Sequence, residues 1–137
     1  MYQLTIKDGE RAVSLSASLV NVDRFCGEMR RLMDTKGLER HHFAVQLLVR
    51  EALNNAVIHG CRNDRTKVID TVLVIDDDTL TLEVADPGEG FKWKEYMERG
   101  NDDLAHFGRG LEIFRAYATE FYYNANGTRL TLKMKLS

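Results

Sequence analysis

Proline and cysteine are scarce in this chain, and each shortage excludes something. Pro87 is the one proline among 137 residues, and no Pro-, Gly- or Ser-rich tract marks a linker. Repeats and low-complexity segments are absent too, so one domain over 1–137, long enough to bury a core, is expected. Cys26 and Cys61 fit neither a disulfide framework nor zinc-ligand spacing, and reduced thiols in a cytoplasmic protein follow. A basic excess is missing: 19 Lys and Arg stand against 21 Asp and Glu, a net charge of -2. Nothing is left over to neutralise a phosphate backbone, so nucleic acid is not an expected partner. No apolar run reaches bilayer length, and Met1 to Lys7 do not read as a signal peptide, so no membrane association is expected.

Several catalytic signatures are absent as well. The chain has no Gly-x-x-x-x-Gly-Lys-Ser/Thr loop and no Gly-x-Gly-x-x-Gly after a strand, which excludes the P-loop and the Rossmann fingerprint. A Gly-x-Ser-x-Gly elbow and a His-Glu-x-x-His helix are also missing. His41 and His42 are adjacent and would diverge on a helix, as surface or core-edge residues rather than metal ligands.

What is present centres on Arg50 to Gly60. At i, i+4 spacing on a helix, Leu47, Glu51, Asn55 and His59 form one row. Ala44, Leu48, Ala52 and Ala56 form a second row, and Val45, Val49, Leu53 and Val57 a third. A carboxylate and a carboxamide therefore sit one turn apart on a helix whose flanks suit a core. That geometry serves to hold a hard cation through Asn55, with a proton-accepting carboxylate beside it. A solvated stripe on a surface helix is the other reading of the same residues.

Around this helix the pattern is mixed. Residues 1–7 and Val13 to Leu15, joined by Asp8-Gly9-Glu10, predict a hairpin. A helix capped by Ser16 or Ser18 runs to Gly37, and the central helix runs from about Leu38 to Gly60. Lys67 to Ile75 and Leu80 to Ala85 predict strands joined by Asp76-Asp77-Asp78, a solvated turn rather than a calcium loop. The second of these strands ends in Asp86-Pro87-Gly88-Glu89-Gly90. Such an end lets backbone approach a ligand while the carboxylate binds it, or it is an ordinary strand-end turn. Residues 92–107 carry little structural signal, as expected of a lid or binding loop. Gly108-Arg109-Gly110-Leu111 then opens a helix whose N-terminus suits an anion. Two last strands, 120–123 and 128–136, flank Asn124-Ala125-Asn126-Gly127, with Leu130, Leu132, Met134 and Leu136 on the buried face.

Taken in order, these blocks resemble a family. Glu51-x-x-x-Asn55-Ala56 with Ile58-His59-Gly60 resembles the N box of the GHKL (Bergerat-fold) ATPases. Asp86-x-Gly88-x-Gly90 is similar to the G1 box, Gly108-x-Gly110-Leu111 to the G2 box, and Gly127-Thr128 to the final threonine box. Within that superfamily the small size and the wording of residues 51–60 resemble the stand-alone anti-sigma-factor serine/threonine kinases of bacterial partner-switching systems. Sensor histidine kinases share the ATP fold but need a dimerisation helix carrying a phosphoacceptor histidine, for which this chain has no room. The resemblance implies an α/β (α+β) two-layer sandwich, a Bergerat-type mixed sheet with helices on one face. It implies ATP between the central helix and the lid, with Asn55 ligating Mg²⁺ and Glu51 acting as general base towards a protein hydroxyl. Asp86 would read the adenine amino group, supported by Thr128. Gly88, Gly90, Gly108 and Gly110 would allow close backbone approach, and Arg109 is either a phosphate contact or a surface arginine. The implied partners are a STAS-type anti-anti-sigma protein as substrate and a sigma factor or other client, and a homodimer is compatible with this. The alternative is a nucleotide-binding module that sequesters its client without kinase activity; an intact Glu51 favours the kinase, because sequestration needs no base.

Overall fold

The structure is a computed structural model that describes residues 1–90, 94 and 105–136, with backbone alone at 105–109. Six strands form one sheet: β1 (Tyr2–Lys7), β2 (Glu10–Ser16), β3 (Val68–Asp76), β4 (Thr79–Ala85), β5 (Glu120–Tyr123) and β6 (Arg129–Lys135). Their order is β1-β2-β3-β4-β6-β5. The described sheet is antiparallel at every pairing, a correction to the mixed sheet that the resemblance implies. The cause is topological. The crossover after β4 delivers β5 in the same direction as β4, but the final hairpin inserts β6 between them. No parallel neighbours result.

β2 starts three residues before its predicted apolar stretch because it is laddered on both sides. Lys7↔Glu10 opens its pairing with β1, and Glu10↔Val74 opens its pairing with β3. Backbone hydrogen bonds on two flanks hold residues that period-2 hydrophobicity does not mark. The Asp77 turn between β3 and β4 has φ 52°, a left-handed position that aspartate tolerates.

Among the described residues three long helices cover one face of the sheet, and the two-layer α+β architecture is as expected. α1 (Leu19–Thr35) is capped by Ser18, whose side chain accepts from the Asn21 N–H at 3.3 Å. α2 (His42–Asn55) follows a 3₁₀ turn at Glu39–His41, so the regular helix starts later than the predicted Leu38. Its last turn, Ala56–Gly60, is π-helical, closed by the Cys61 N–H donating to the Ala56 carbonyl at 2.8 Å. α3 spans Ala105–Tyr117.

Between the layers lie Leu15, Ile69, Leu73 and Leu82 from the sheet, Phe25 and Met29 from α1, Val49 and Leu53 from α2, and Phe114 from α3, each at most 1% exposed. The two apolar rows predicted on α2 are buried from Val45 and Leu48 to Val57, so α2 is a core helix whose Glu51–Asn55–His59 and Gln46–Arg50–Asn54 rows supply its polar side. Asp70, Glu83 and Arg129 stand on the other face of the sheet. There Ser14 Oγ donates to Asp70 at 2.6 Å, and Arg129 pairs with Glu83 at 3.5 Å.

One ionic feature inside the fold joins β2 to α1. Arg11 faces α1 from β2, and its Nε meets the Glu28 carboxylate at 3.0 Å, while Arg31 meets it at 2.7 Å. Burial alone would raise the Glu28 carboxyl. Hydrogen bonds from Arg31 and Arg11 more than reverse this and hold it below the usual carboxylate range. Both cysteines are buried, and burial pushes their thiols up, which suits inert packing residues.

Candidate functional site

The Glu51–Asn55 row of α2 meets α3 at a glycine. A Cβ built on Gly110 would stand 3.0 Å from Asn55 Nδ2 and 3.7 Å from Glu51 Oε2. Bare backbone therefore approaches the two functional side chains closely, and any side chain at 110 would crowd the amide. Asn55 Nδ2 is buried and has no hydrogen-bond partner among the described residues. Buried amide groups are nearly always paired, so an orphan of this kind marks a place for a ligand atom. A half-turn of the carboxamide presents Oδ1 at the same point, as a hard cation would require. Among the described residues no group of three or more His, Cys, Asp or Glu could hold a metal ion. A cation at Asn55 would therefore take most of its ligands from water and from a bound anion.

The second half of the site is the end of β4. The Asp86 N–H donates to the Thr128 carbonyl at 3.0 Å, and the Asp86 carboxylate accepts the Gly88 N–H at 2.9 Å. Burial raises the Asp86 carboxyl above its ordinary value, with the Gly88 N–H and Lys67 pulling it back. It is a half-desolvated acceptor facing a cleft. Two glycines make that packing possible. Gly90 has φ +83°, and a Cβ there would lie 1.9 Å from the Asn126 carbonyl oxygen. A Cβ on Gly88 would lie 2.2 Å from the Gly60 carbonyl oxygen. The strand-end loop is thus wedged, backbone on backbone, between the end of α2 and the β5–β6 turn. In that turn the Thr128 N–H donates to Asn124 Oδ1 at 2.9 Å, and Thr128 Oγ1 accepts from Asn124 Nδ2 at 3.0 Å.

The halves share one cleft. Asn55, Asp86, Gly90 and Thr128 line it, together with apolar Ala52, Ala56, Val84 and Leu130 and with Tyr123. A few polar groups are thus set among small and branched apolar side chains. That arrangement suits a flat apolar ring with polar edges joined to an anionic tail. Burial, with the Asp86 charge adding to it, pushes the Tyr123 phenol well above its ordinary value.

A profile of the histidine kinase-like ATPase domain matches residues 15–135, nearly the whole chain. This chain belongs to the histidine kinase-like ATPase family. Anti-sigma F factor of Clostridium acetobutylicum is 31% identical over an alignment of 100 residues that covers 68% of this chain and 69% of that protein. Anti-sigma F factor of Geobacillus kaustophilus is 23% identical over 142 residues, covering 98% of this chain and 93% of that protein. Among solved structures, the histidine kinase domain of a blue-light activated histidine kinase from Erythrobacter litoralis matches with a TM-score of 0.55. That match has 16% identity and covers 98% of this chain and 68% of the other, and it shows the shared fold.

Within this histidine kinase-like ATPase chain the candidate residues fall into three groups. Asn55, Asp86, Gly90 and Thr128 meet in the cleft, while Gly88 packs on Gly60 and Asp86, and Gly110 packs on Asn55 and Glu51. Gly108 and Gly110 do not open the helix as expected. α3 begins at Ala105, so Gly110 falls past the four free N–H groups of the helix start. Its contribution is close approach to Asn55 rather than an anion-binding terminus. The Arg109 side chain and nearly all of the expected lid, residues 92–107, lie outside the described residues.

Cleft-lining residues to which the sequence assigned no role are Ala52, Ala56, His59, Gly60, Val84, Tyr123, Gly127 and Leu130. Ala52 and Ala56 carried a signal, since small residues one turn apart leave room beside a helix. Tyr123 and Leu130 carried none, because they read as ordinary strand residues until the hairpin is placed against β4. Among the described residues no helix is long and apolar enough to cross a membrane.

Proposed function

We propose that this protein is an ATP-dependent serine/threonine kinase and anti-sigma factor. In this reading it phosphorylates a STAS-type anti-anti-sigma protein and holds a sigma factor or similar client in alternation with it. The observation that carries the reading is the placement of Glu51 and orphaned Asn55 against Gly110, with Asp86 lining the same cleft as Asn55. The fold family and the anti-sigma F factor relatives support it.

Each side chain has a role suited to its chemistry. Asp86 accepts a hydrogen bond from the adenine amino group and so selects the base. Asn55 offers its amide oxygen to Mg²⁺, which when bound neutralises charge on the phosphate oxygens. Glu51, one turn away on α2, takes the proton from the incoming serine or threonine hydroxyl. The glycine-wedged strand end and Gly110 keep side chains out of the ligand's path.

Purified protein, radiolabelled ATP, Mg²⁺ and a genomically neighbouring STAS-type protein form the direct test, with label expected on a serine or threonine of the latter. A phosphorylated residue gains about -1.5 to -2 charge at an interface that had accepted a neutral hydroxyl beside Glu51. Unmodified substrate should therefore be retained in pull-downs, and the phosphorylated form released. Equal retention of both forms would rule out the exchange of partners, even where label is transferred.

Two substitutions divide the nucleotide site. Asp86→Asn should weaken ATP binding by about 1–3 kcal/mol, because a charge-assisted acceptor is lost from a half-desolvated position. Titration calorimetry on the folded variant checks this, and unchanged affinity would remove Asp86 from the site. Asn55→Ala should abolish the Mg²⁺ dependence of nucleotide binding, at a cost of about tenfold or more in affinity with the metal present. Equal Mg²⁺ dependence in variant and parent would place the cation elsewhere.

A further inference from the structure

Gly60 is the point at which α2 touches the base-reading carboxylate. A Cβ built on it would lie 2.4 Å from Asp86 Cγ, 2.5 Å from Oδ2 and 2.7 Å from Oδ1. All three atoms of the carboxylate are inside the distance that real Cβ atoms keep, so an alanine there must displace the group. Nor can the carboxylate retreat freely. Its Oδ1 is held by the Gly88 N–H at 2.9 Å, and the Asp86 N–H is held by the Thr128 carbonyl at 3.0 Å. Gly88 in turn rests on the Gly60 carbonyl, where its own Cβ would come within 2.2 Å. The contact is thus two-sided. Gly60 gives Asp86 space with its missing side chain and seats the Gly88 loop with its backbone.

The π-helical turn is what brings Gly60 there. Residues Ala56–Gly60 close with the Cys61 N–H reaching back to the Ala56 carbonyl at 2.8 Å, a wider loop than the α-helical one. This turn follows Asn55 directly, so the helix that presents Asn55 and Glu51 also ends against Asp86. Single-turn π-bulges are rare and concentrate at functional sites.

We propose that Gly60 is a specificity-determining positioning residue: its bare Cα at the end of the α2 π-turn sets the Asp86 carboxylate in the orientation that selects an adenine amino group. This rests on the reading of Asp86 as the acceptor for adenine. A carboxylate aimed at the exocyclic position accepts from an amino group and repels a carbonyl, so its orientation decides between adenine and hypoxanthine bases. A side chain at position 60 rotates or lifts the carboxylate while leaving the rest of the cleft in place.

The test compares ADP and inosine diphosphate binding by calorimetry in the full chain, in Gly60→Ala, in Asp86→Asn and in the double variant. In Gly60→Ala, ADP affinity should fall about tenfold or more, and the preference for ADP over inosine diphosphate should largely vanish, as in Asp86→Asn. The double variant should bind ADP nearly as either single variant does, since both changes remove one contact. A merely structural role would lower both affinities together and leave their ratio intact, which would overturn the proposal. Multiplicative losses in the double variant would overturn it too. Should Gly60→Ala fold poorly, Gly60→Ala with Asp86→Ala supplies the second measurement. Removing the carboxylate vacates the space, so the thermal midpoint should return to that of Asp86→Ala alone. A double variant as unstable as Gly60→Ala would show that position 60 acts through something else. If the parent chain binds no ADP, the nucleotide reading fails and this inference with it. If the parent binds ADP and Gly60→Ala matches it in affinity and preference, only the inference falls.

Discussion

Glu51→Gln is expected to lose phosphoryl transfer by roughly 10²–10⁴-fold while keeping its nucleotide. The change is isosteric. Glutamine fills the same space beside Gly110, where Glu51 Oε2 lies 3.7 Å from a Cβ built on that glycine, so α3 keeps its seat on α2. What disappears is the capacity to take a proton from the attacking hydroxyl. On the rate scale this corresponds to about 3–5 kcal/mol of lost transition-state stabilisation. Asn55 and Asp86 are untouched, so ADP affinity should stay within about twofold of the parent, well inside the scatter of surface substitutions. Single-turnover transfer to the STAS-type substrate, alongside ADP calorimetry, separates the two effects. Transfer at the parent rate would show that Glu51 is not the base, and parallel loss of nucleotide would show that its role is structural.

Phe114→Ala is expected to destabilise the fold by about 3–5 kcal/mol, a large share of the roughly 5–15 kcal/mol that holds a domain together. Phe114 is fully buried, and its ring lies 5.5 Å from that of Phe121 on β5, tilted by 60°. With Leu111, which is 2% exposed, it anchors α3 to the sheet. α3 is also the helix whose Gly110 closes on Asn55. Loosening it should therefore weaken nucleotide binding as well, although Phe114 is not one of the residues that line the cleft. Urea unfolding measures the first effect through a shift in midpoint at constant slope. Phe114→Leu, which keeps most of the volume, should cost much less and leave ADP affinity near the parent. A loss under about 1 kcal/mol for the alanine variant would mean that α3 is held by other contacts.

The elements of this fold were legible because their patterns are local. Ser18 caps α1, the apolar rows of α2 are buried, and Asn126-Gly127 turns the last hairpin, as side-chain spacing and turn chemistry predict. Boundaries were less so. The extra length of β2 comes from ladders with β1 and β3, and neither partner's position is visible in the residues of β2 itself. The start of α3 at Ala105 moved Gly110 from a helix end to its interior, since glycine allows a terminus without compelling one.

Sequence by itself determined the chemistry available: which carboxylate and carboxamide lie one turn apart on α2, which aspartate ends β4, and where glycine replaces a side chain. These follow from residue identity and from helical and strand periods, which are properties of a few consecutive residues. Tertiary structure alone decided how those parts combine. It set the strand order that inserts β6 between β4 and β5, the burial of Glu28 between Arg11 and Arg31, the π-turn that carries Gly60 to Asp86, and the approach of Gly110 to an unpaired Asn55 amide. Each of these rests on a contact between segments far apart in the chain, such as Arg11 with Glu28, Gly60 with Asp86 and Gly110 with Asn55. Its distance depends on how whole layers pack, and no local pattern encodes that.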